Sequence, residues 1–145
     1  MTVQEMLRKL DGLLELSRVG ILTTVDAEGY PRSRWMTPTF VPGREGMLYA
    51  VTSPTFAKTV QIAKHPKVGW IFQTRALDEI MTVHGKINII ENPALRQEVQ
   101  EALGQNLSIF WRVNPREQDL VVLETVIEEI TYFNPMKNER YKVVV

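Results

Sequence analysis

The stretch VTSPTFAK (51–58) places the hydroxyls of Thr52, Ser53 and Thr55, together with Lys58, where a β-rich run gives way to a helical one. A helix N-terminus presents free N–H groups and the positive end of the helix dipole, so such a junction suits a phosphate. The hydroxyls would add donors and Lys58 a cation on the first turns. An ordinary capped helix carries the same signature, with Ser53 as N-cap, Pro54 at the first helical position and Lys58 in water. For a Ser-Pro start taken alone that is the commoner case. There is no glycine-rich P-loop and no G-x-G-x-x-G, which argues against nucleoside triphosphates and Rossmann-type dinucleotides.

A second stretch, PRSRWMT (31–37), reads as a strand with Arg32 and Arg34 on one face and Ser33 and Trp35 on the other. Two such arginines either point to solvent or line an anionic pocket, where a guanidinium grips phosphate through paired N–H groups. On the strand alone, solvent is the expectation. His65 closes a helix, where a cation suits the dipole. His84 sits in a strand beside Gly85. Neither has metal-ligand spacing with carboxylates, and no nucleophile elbow or Ser/His/Asp pattern is present, so no metal site and no catalytic residue is nominated.

Several elements must position these residues. Residues 2–16 read as a helix: Thr2 and Glu5 have capping-box spacing, and Val3, Met6, Leu7, Leu10, Leu13 and Leu14 form one apolar stripe. From Gly20 the period becomes that of strands. Strands over 20–25 and 30–40 flank the turn 26–29 as a hairpin, with Pro31 at a strand start and Pro38 at an edge or bulge. Further strands are expected over 47–51, 67–73, 80–90 with Gly85 as a bulge, 120–133 and 141–145. A helix fits between Ser53 and Pro66, and another over 94–104, capped by Asn92-Pro93 and ended by Gly104. Residues 105–118 stay unassigned. This order is not an alternation of strand and helix, so an antiparallel barrel with peripheral helices is expected rather than a doubly wound parallel sheet. No repeat or linker interrupts residues 1–145, which implies one domain.

Composition narrows the classes further. Apolar residues make up 44%, and 17 basic residues balance 17 acidic ones, so no general charge draws the chain to nucleic acid or a membrane surface. There is no cysteine, which excludes a disulfide framework and a thiolate metal site. The N-terminal stretch carries charges throughout and has no signal-type apolar core, so the cytoplasm is the expected location.

In order and spacing, ILTTVDAEGYPRSRWM, MLYAVTSPTFAK and HPKVGWIF resemble the pyridoxamine 5'-phosphate oxidase-like family, within it the short general stress protein branch. The resemblance covers about residues 5–90 well and the remainder loosely. It implies a mainly β fold, a six-stranded antiparallel split β-barrel of Greek-key type with peripheral helices. It also implies a homodimer with FMN in clefts at the interface. By the resemblance, Arg34 contacts the flavin phosphate or ribityl chain, and Trp35, Met36 and Thr37 offer backbone groups along the ring. Val51 and Thr52 lie near the ring and ribityl hydroxyls, and Lys58 binds phosphate beside Ser53. Trp111 falls either over a partner's flavin ring or in core or interface packing. The vitamin-oxidising members carry a Ser-Arg pair where this chain has Phe56 and Ala57, a lysine where it has Thr39, and a partner-supplied glutamine where it has Ile80. This chain ends in YKVVV instead of their substrate-holding arginine- and histidine-bearing segment, so pyridoxine 5'-phosphate oxidation is not expected. The expected function is an FMN-binding flavoprotein, an oxidoreductase or flavin reductase of unknown substrate. The alternatives are a non-catalytic flavin carrier or stress sensor, a relative binding deazaflavin or haem, and an interaction module that has lost its ligand.

Overall fold

Thr2 Oγ1 accepts the Glu5 N–H at 3.1 Å and starts α1, Val3–Ser17. Met6, Leu10, Leu13 and Leu14 form its buried stripe, and Arg18, in the left-handed region at φ 59°, ends it. The computed structural model describes residues 1–63, 65–104 and 120–145. Along it follow β1 (Gly20–Val25), β2 (Pro31–Met36), β3 (Met47–Thr52), α2 (Pro54–Ala63), β4 (Lys67–Gln73), β5 (Ile80–Ile90), α3 (Pro93–Leu103), β6 (Val121–Asn134) and β7 (Glu139–Val144). Residues 105–118, with Trp111, lie outside the described residues.

Every strand pairing is antiparallel, and the sheet runs β2-β1-β4-β5-β6-β3. The long β6 makes this possible. One of its edges pairs with β5, and the other is shared between β3 at Val121–Val126 and β7 at Glu129–Asn134. The path has the expected six strands, and β7, expected as a terminal strand over 141–145, joins β6 as a seventh. Gly85 marks the expected bulge. The register shifts between His84 and Gly85, and a Cβ at Gly85 would collide with the Val126 carbonyl oxygen.

The sheet curls around a core of Leu22, Trp70, Phe72, Met81, Val83, Leu123 and Ile130, which the α1 stripe closes. Trp70 is thus in the core, and its Nε1–H donates to Thr125 Oγ1 at 3.0 Å. A second apolar cluster lies outside the barrel, where Leu95, Val99 and Leu103 of α3 cover Tyr49 and Val51 of β3. β3 is therefore buried on both faces.

The ends of the sheet, β2 and β3, meet at a single bridge. Thr39 and Tyr49 exchange two backbone hydrogen bonds of 2.8 Å. Elsewhere the two strands do not pair, so the barrel is split rather than closed. β2 stops at Met36 and not at the expected residue 40. Pro38, which has no N–H, interrupts the ladder before the bridge. No helix among the described residues is long and apolar enough to cross a membrane.

Candidate functional site

The split leaves backbone N–H and C=O groups of β2 and β3 without a strand partner, and α2 starts directly beyond the end of β3. β2 supplies the charged side chains. Arg34 stands opposite Leu22, which is fully buried, so its side chain leaves on the inner face of the hairpin. There it meets α2, with the guanidinium carbon 4.0 Å from the centroid of the Phe56 ring. Its Nη1 is buried and has no hydrogen-bond partner, and no carboxylate pairs with Arg34 among the described residues. Burial first, and the like charge of Arg32 second, hold this guanidinium below its ordinary pKa.

Arg32 follows the solvent expectation. Its Nε donates to Asp26 Oδ2 at 2.9 Å, while Asp26 Oδ1 accepts the Glu28 and Tyr30 N–H groups, each at 2.9 Å. The turn carboxylate thus gathers one arginine and two backbone donors. Arg32 foremost, then the Tyr30 N–H, keep Asp26 below the usual carboxylate range.

The α2 start is a poorer anion site than its sequence suggests. Ser53 Oγ accepts the Phe56 N–H at 3.3 Å, and Pro54 has no N–H, so of the first three helical residues only Thr55 keeps an N–H outside the cap. Ala57 is buried, and Lys58 is exposed. Residues two apart on a helix lie about 200° apart around its axis, so Lys58 leaves α2 on the side away from Phe56 and Arg34. The structure does not bring the two expected phosphate cations together.

The remaining positions divide in the same way. Met36 packs against the core, and Thr37 is buried just before Pro38. Val51 could meet a ligand only through its backbone. Its side chain is 1% exposed in the α3 cluster, so only its backbone faces the split. Thr52 is buried at the end of β3. Trp35 is on the outer face opposite Ile21, which is itself opposite Ile71, and these three side chains are exposed to 49%, 43% and 37%. Of the family-pattern departures, Thr39 forms the bridge that joins the ends of the sheet, and Ile80 is half-buried at the start of β5.

The contact that sequence reasoning misses is Arg34 on Phe56. A cation–ring contact between a strand and a helix leaves no periodic signal, and Phe56 reads from sequence only as a lost serine. Among the described residues, one cavity of about 710 Å³ lies between α1 and the 38–46 loop, and another of about 840 Å³ lies beside His84 on β1, β4 and β5. Neither is lined by Arg34 or Lys58. We favour the split over the cavities because it holds the unmatched charge. On the outer face, His84 Nδ1 is 3.0 Å from Glu129, whose other oxygen is 2.9 Å from Lys142 Nζ. No group of three or more potential metal ligands gathers among the described residues.

Similar folds are known. General stress protein 26 from Bacillus anthracis superposes with a TM-score of 0.69 at 22% identity, covering 99% of this chain and 100% of that one. A general stress protein 26-related protein from Clostridium acetobutylicum gives 0.72 at 18% identity, over 99% and 97% of the two chains. A pyridoxamine 5'-phosphate oxidase-related, FMN binding protein from Nostoc punctiforme gives 0.68 at 16% identity, over 100% and 99%. No curated protein matches the sequence significantly. The model of the pyridoxamine 5'-phosphate oxidase family matches residues 6–134, and with these strands in this order the chain belongs to that family.

Proposed function

We propose that the chain binds FMN in the split between β2 and β3, with the flavin phosphate on Arg34, and acts as a cytoplasmic, homodimeric oxidoreductase or flavin reductase. The observation that carries this reading is the half-buried Arg34 guanidinium, which has a buried nitrogen without an acceptor and no paired carboxylate among the described residues. A buried charge without a partner is unfavourable. A phosphate monoester supplies two negative charges and several acceptors at that point. The free edge of β2 supports the rest of the reading, since alternate backbone groups along the Trp35–Thr37 stretch face away from β1 and can hydrogen-bond to a flat polar ring. Thr52 and Ser53, between the end of β3 and the start of α2, are the hydroxyl residues this reading assigns to the ribityl chain. FMN, when bound, supplies hydride chemistry, while the protein supplies binding and orientation. Among the described residues no general acid or base stands at the split, so no catalytic side chain is assigned.

The phosphate end is thin. Ala57 is apolar, the Phe56 N–H is held in the cap, and Lys58 points away. FMN therefore rests mainly on one arginine, and exchangeable binding is expected. A second copy of the chain is the natural cover for the open cleft and for the exposed Trp35–Ile21–Ile71 row, which would bury its apolar surface in doing so. Haem finds less support. His84 is on the outer face against Glu129, and His65 follows the far end of α2.

The test is spectroscopic. Purified protein, or protein titrated with FMN, should give a flavin absorption band and quenched flavin fluorescence, and should sediment as a dimer. Protein that stays colourless and leaves FMN fluorescence unchanged refutes the reading. NADH or NADPH oxidation with an artificial acceptor then separates an enzyme from a carrier.

A further inference from the structure

Phe56 has no direct part in the flavin reading, yet it touches the residue on which that reading depends. Two contacts fix its own position. The N–H of Phe56 is held by Ser53 Oγ, and its ring packs against the barrel core. Arg34 crosses from β2 to lie over that ring at 4.0 Å. No carboxylate is paired to it among the described residues, and the ring is the cation–π contact that fixes its direction. An arginine side chain is long and flexible, and a phosphate contact is strong only if the fork of N–H groups is already aimed. Serine at this position would donate directly to the phosphate, whereas phenylalanine acts one step removed.

We propose that Phe56 is a positioning residue that holds the Arg34 guanidinium ready for a phosphate monoester, so that the site selects phosphorylated over unphosphorylated flavin. The order of support runs from the Ser53 cap to Phe56, from Phe56 to Arg34, and from Arg34 to the phosphate. The inference rests on the flavin reading and adds a selectivity to it. A ring that only filled space would affect both flavins alike.

The experiment is fluorescence titration with FMN and with riboflavin, on the wild-type chain and on Phe56→Leu, Phe56→Tyr, Arg34→Ala and the Arg34→Ala/Phe56→Leu double variant. Cation–ring contacts of this kind correspond to roughly two- to thirtyfold in affinity. Phe56→Leu should therefore weaken FMN by about five- to tenfold and leave riboflavin within about twofold. Phe56→Tyr should keep the wild-type ratio. In the Arg34→Ala background, Phe56→Leu should no longer change the ratio, because the effect passes through Arg34. If Phe56→Leu fails to fold, Phe56→Met poses the same question. Equal weakening of FMN and riboflavin overturns the proposal, as does an undiminished Phe56→Leu effect without Arg34. Wild-type protein that binds FMN and riboflavin equally also overturns it while leaving flavin binding intact. Wild-type protein that binds neither defeats the flavin reading and this inference with it.

Discussion

Arg32 and Arg34 leave the same face of the same strand, and their surroundings differ in almost every respect. Arg32 is at the hairpin tip, exposed, with its charge matched by Asp26 at 2.9 Å. Arg34 is at the split, half-buried over an aromatic ring, with one nitrogen lacking any acceptor. Both are arginines opposite a buried residue of β1, Thr24 for Arg32 and Leu22 for Arg34. What separates them is the neighbour beyond the strand. The turn brings a carboxylate to one, and α2 brings a phenyl ring to the other. A matched surface pair contributes little and recruits nothing. An unmatched cation at a cleft recruits an anion.

The largest effect that tests this contrast is on FMN affinity. Arg34→Ala should weaken FMN by roughly 1–3 kcal/mol, the scale of a lost charged hydrogen bond. Arg32→Ala, measured by the same titration, should change it by less than about threefold, as expected for a surface charge away from the ligand. Equal losses would erase the distinction between the two ends of β2. A smaller effect sharpens it. Lys58, which the resemblance assigns to the phosphate, leaves α2 on the side away from Phe56, so Lys58→Ala should weaken FMN by less than about 1 kcal/mol, through long-range charge alone. A loss as large as that of Arg34→Ala would mean that the phosphate sits on α2 and not on β2.

Much of this arrangement is legible in the sequence, and the boundary of what is legible has physical causes. Alternation predicts β1, β4 and β5 at the residues where they occur, because each strand has one face in the core. The Ser53-Pro54 and Asn92-Pro93 starts announce α2 and α3 because capping is a local interaction. β2 is read too long because the bridge at Thr39 resumes pairing after Pro38 breaks it. Arg32 is readable in principle, since its partner belongs to the same hairpin. Arg34 is not, since its neighbour comes from a helix that follows a further strand. The face of Val51 is also hidden from local pattern, because α3, which buries it, arrives only after β4 and β5. Neither periodicity nor the resemblance suggests the Phe56 contact, since the resemblance reads Phe56 only as a departure and its contact with Arg34 is non-local.

The smallest expected effect tests the hairpin tip itself. The folded-state pKa of Asp26 lies below its ordinary 3.8, chiefly because of the Arg32 side chain and then the Tyr30 N–H. A lowered carboxyl pKa favours the folded state above the ordinary value, and that contribution fades as the pH falls through the lowered one. The hairpin tip should therefore loosen only in acid, below about pH 3.8. An NMR titration of the Asp26 carboxyl carbon reads this directly. Arg32→Ala should raise the Asp26 pKa toward 3.8 but not fully to it, because the Tyr30 and Glu28 N–H groups remain. Arg34→Ala should leave the Asp26 titration where it was, since that guanidinium is turned toward Phe56. If Arg34→Ala moves Asp26 as far as Arg32→Ala does, the two arginines share one electrostatic environment. Arg34 would then lose the isolation that makes it an anion site.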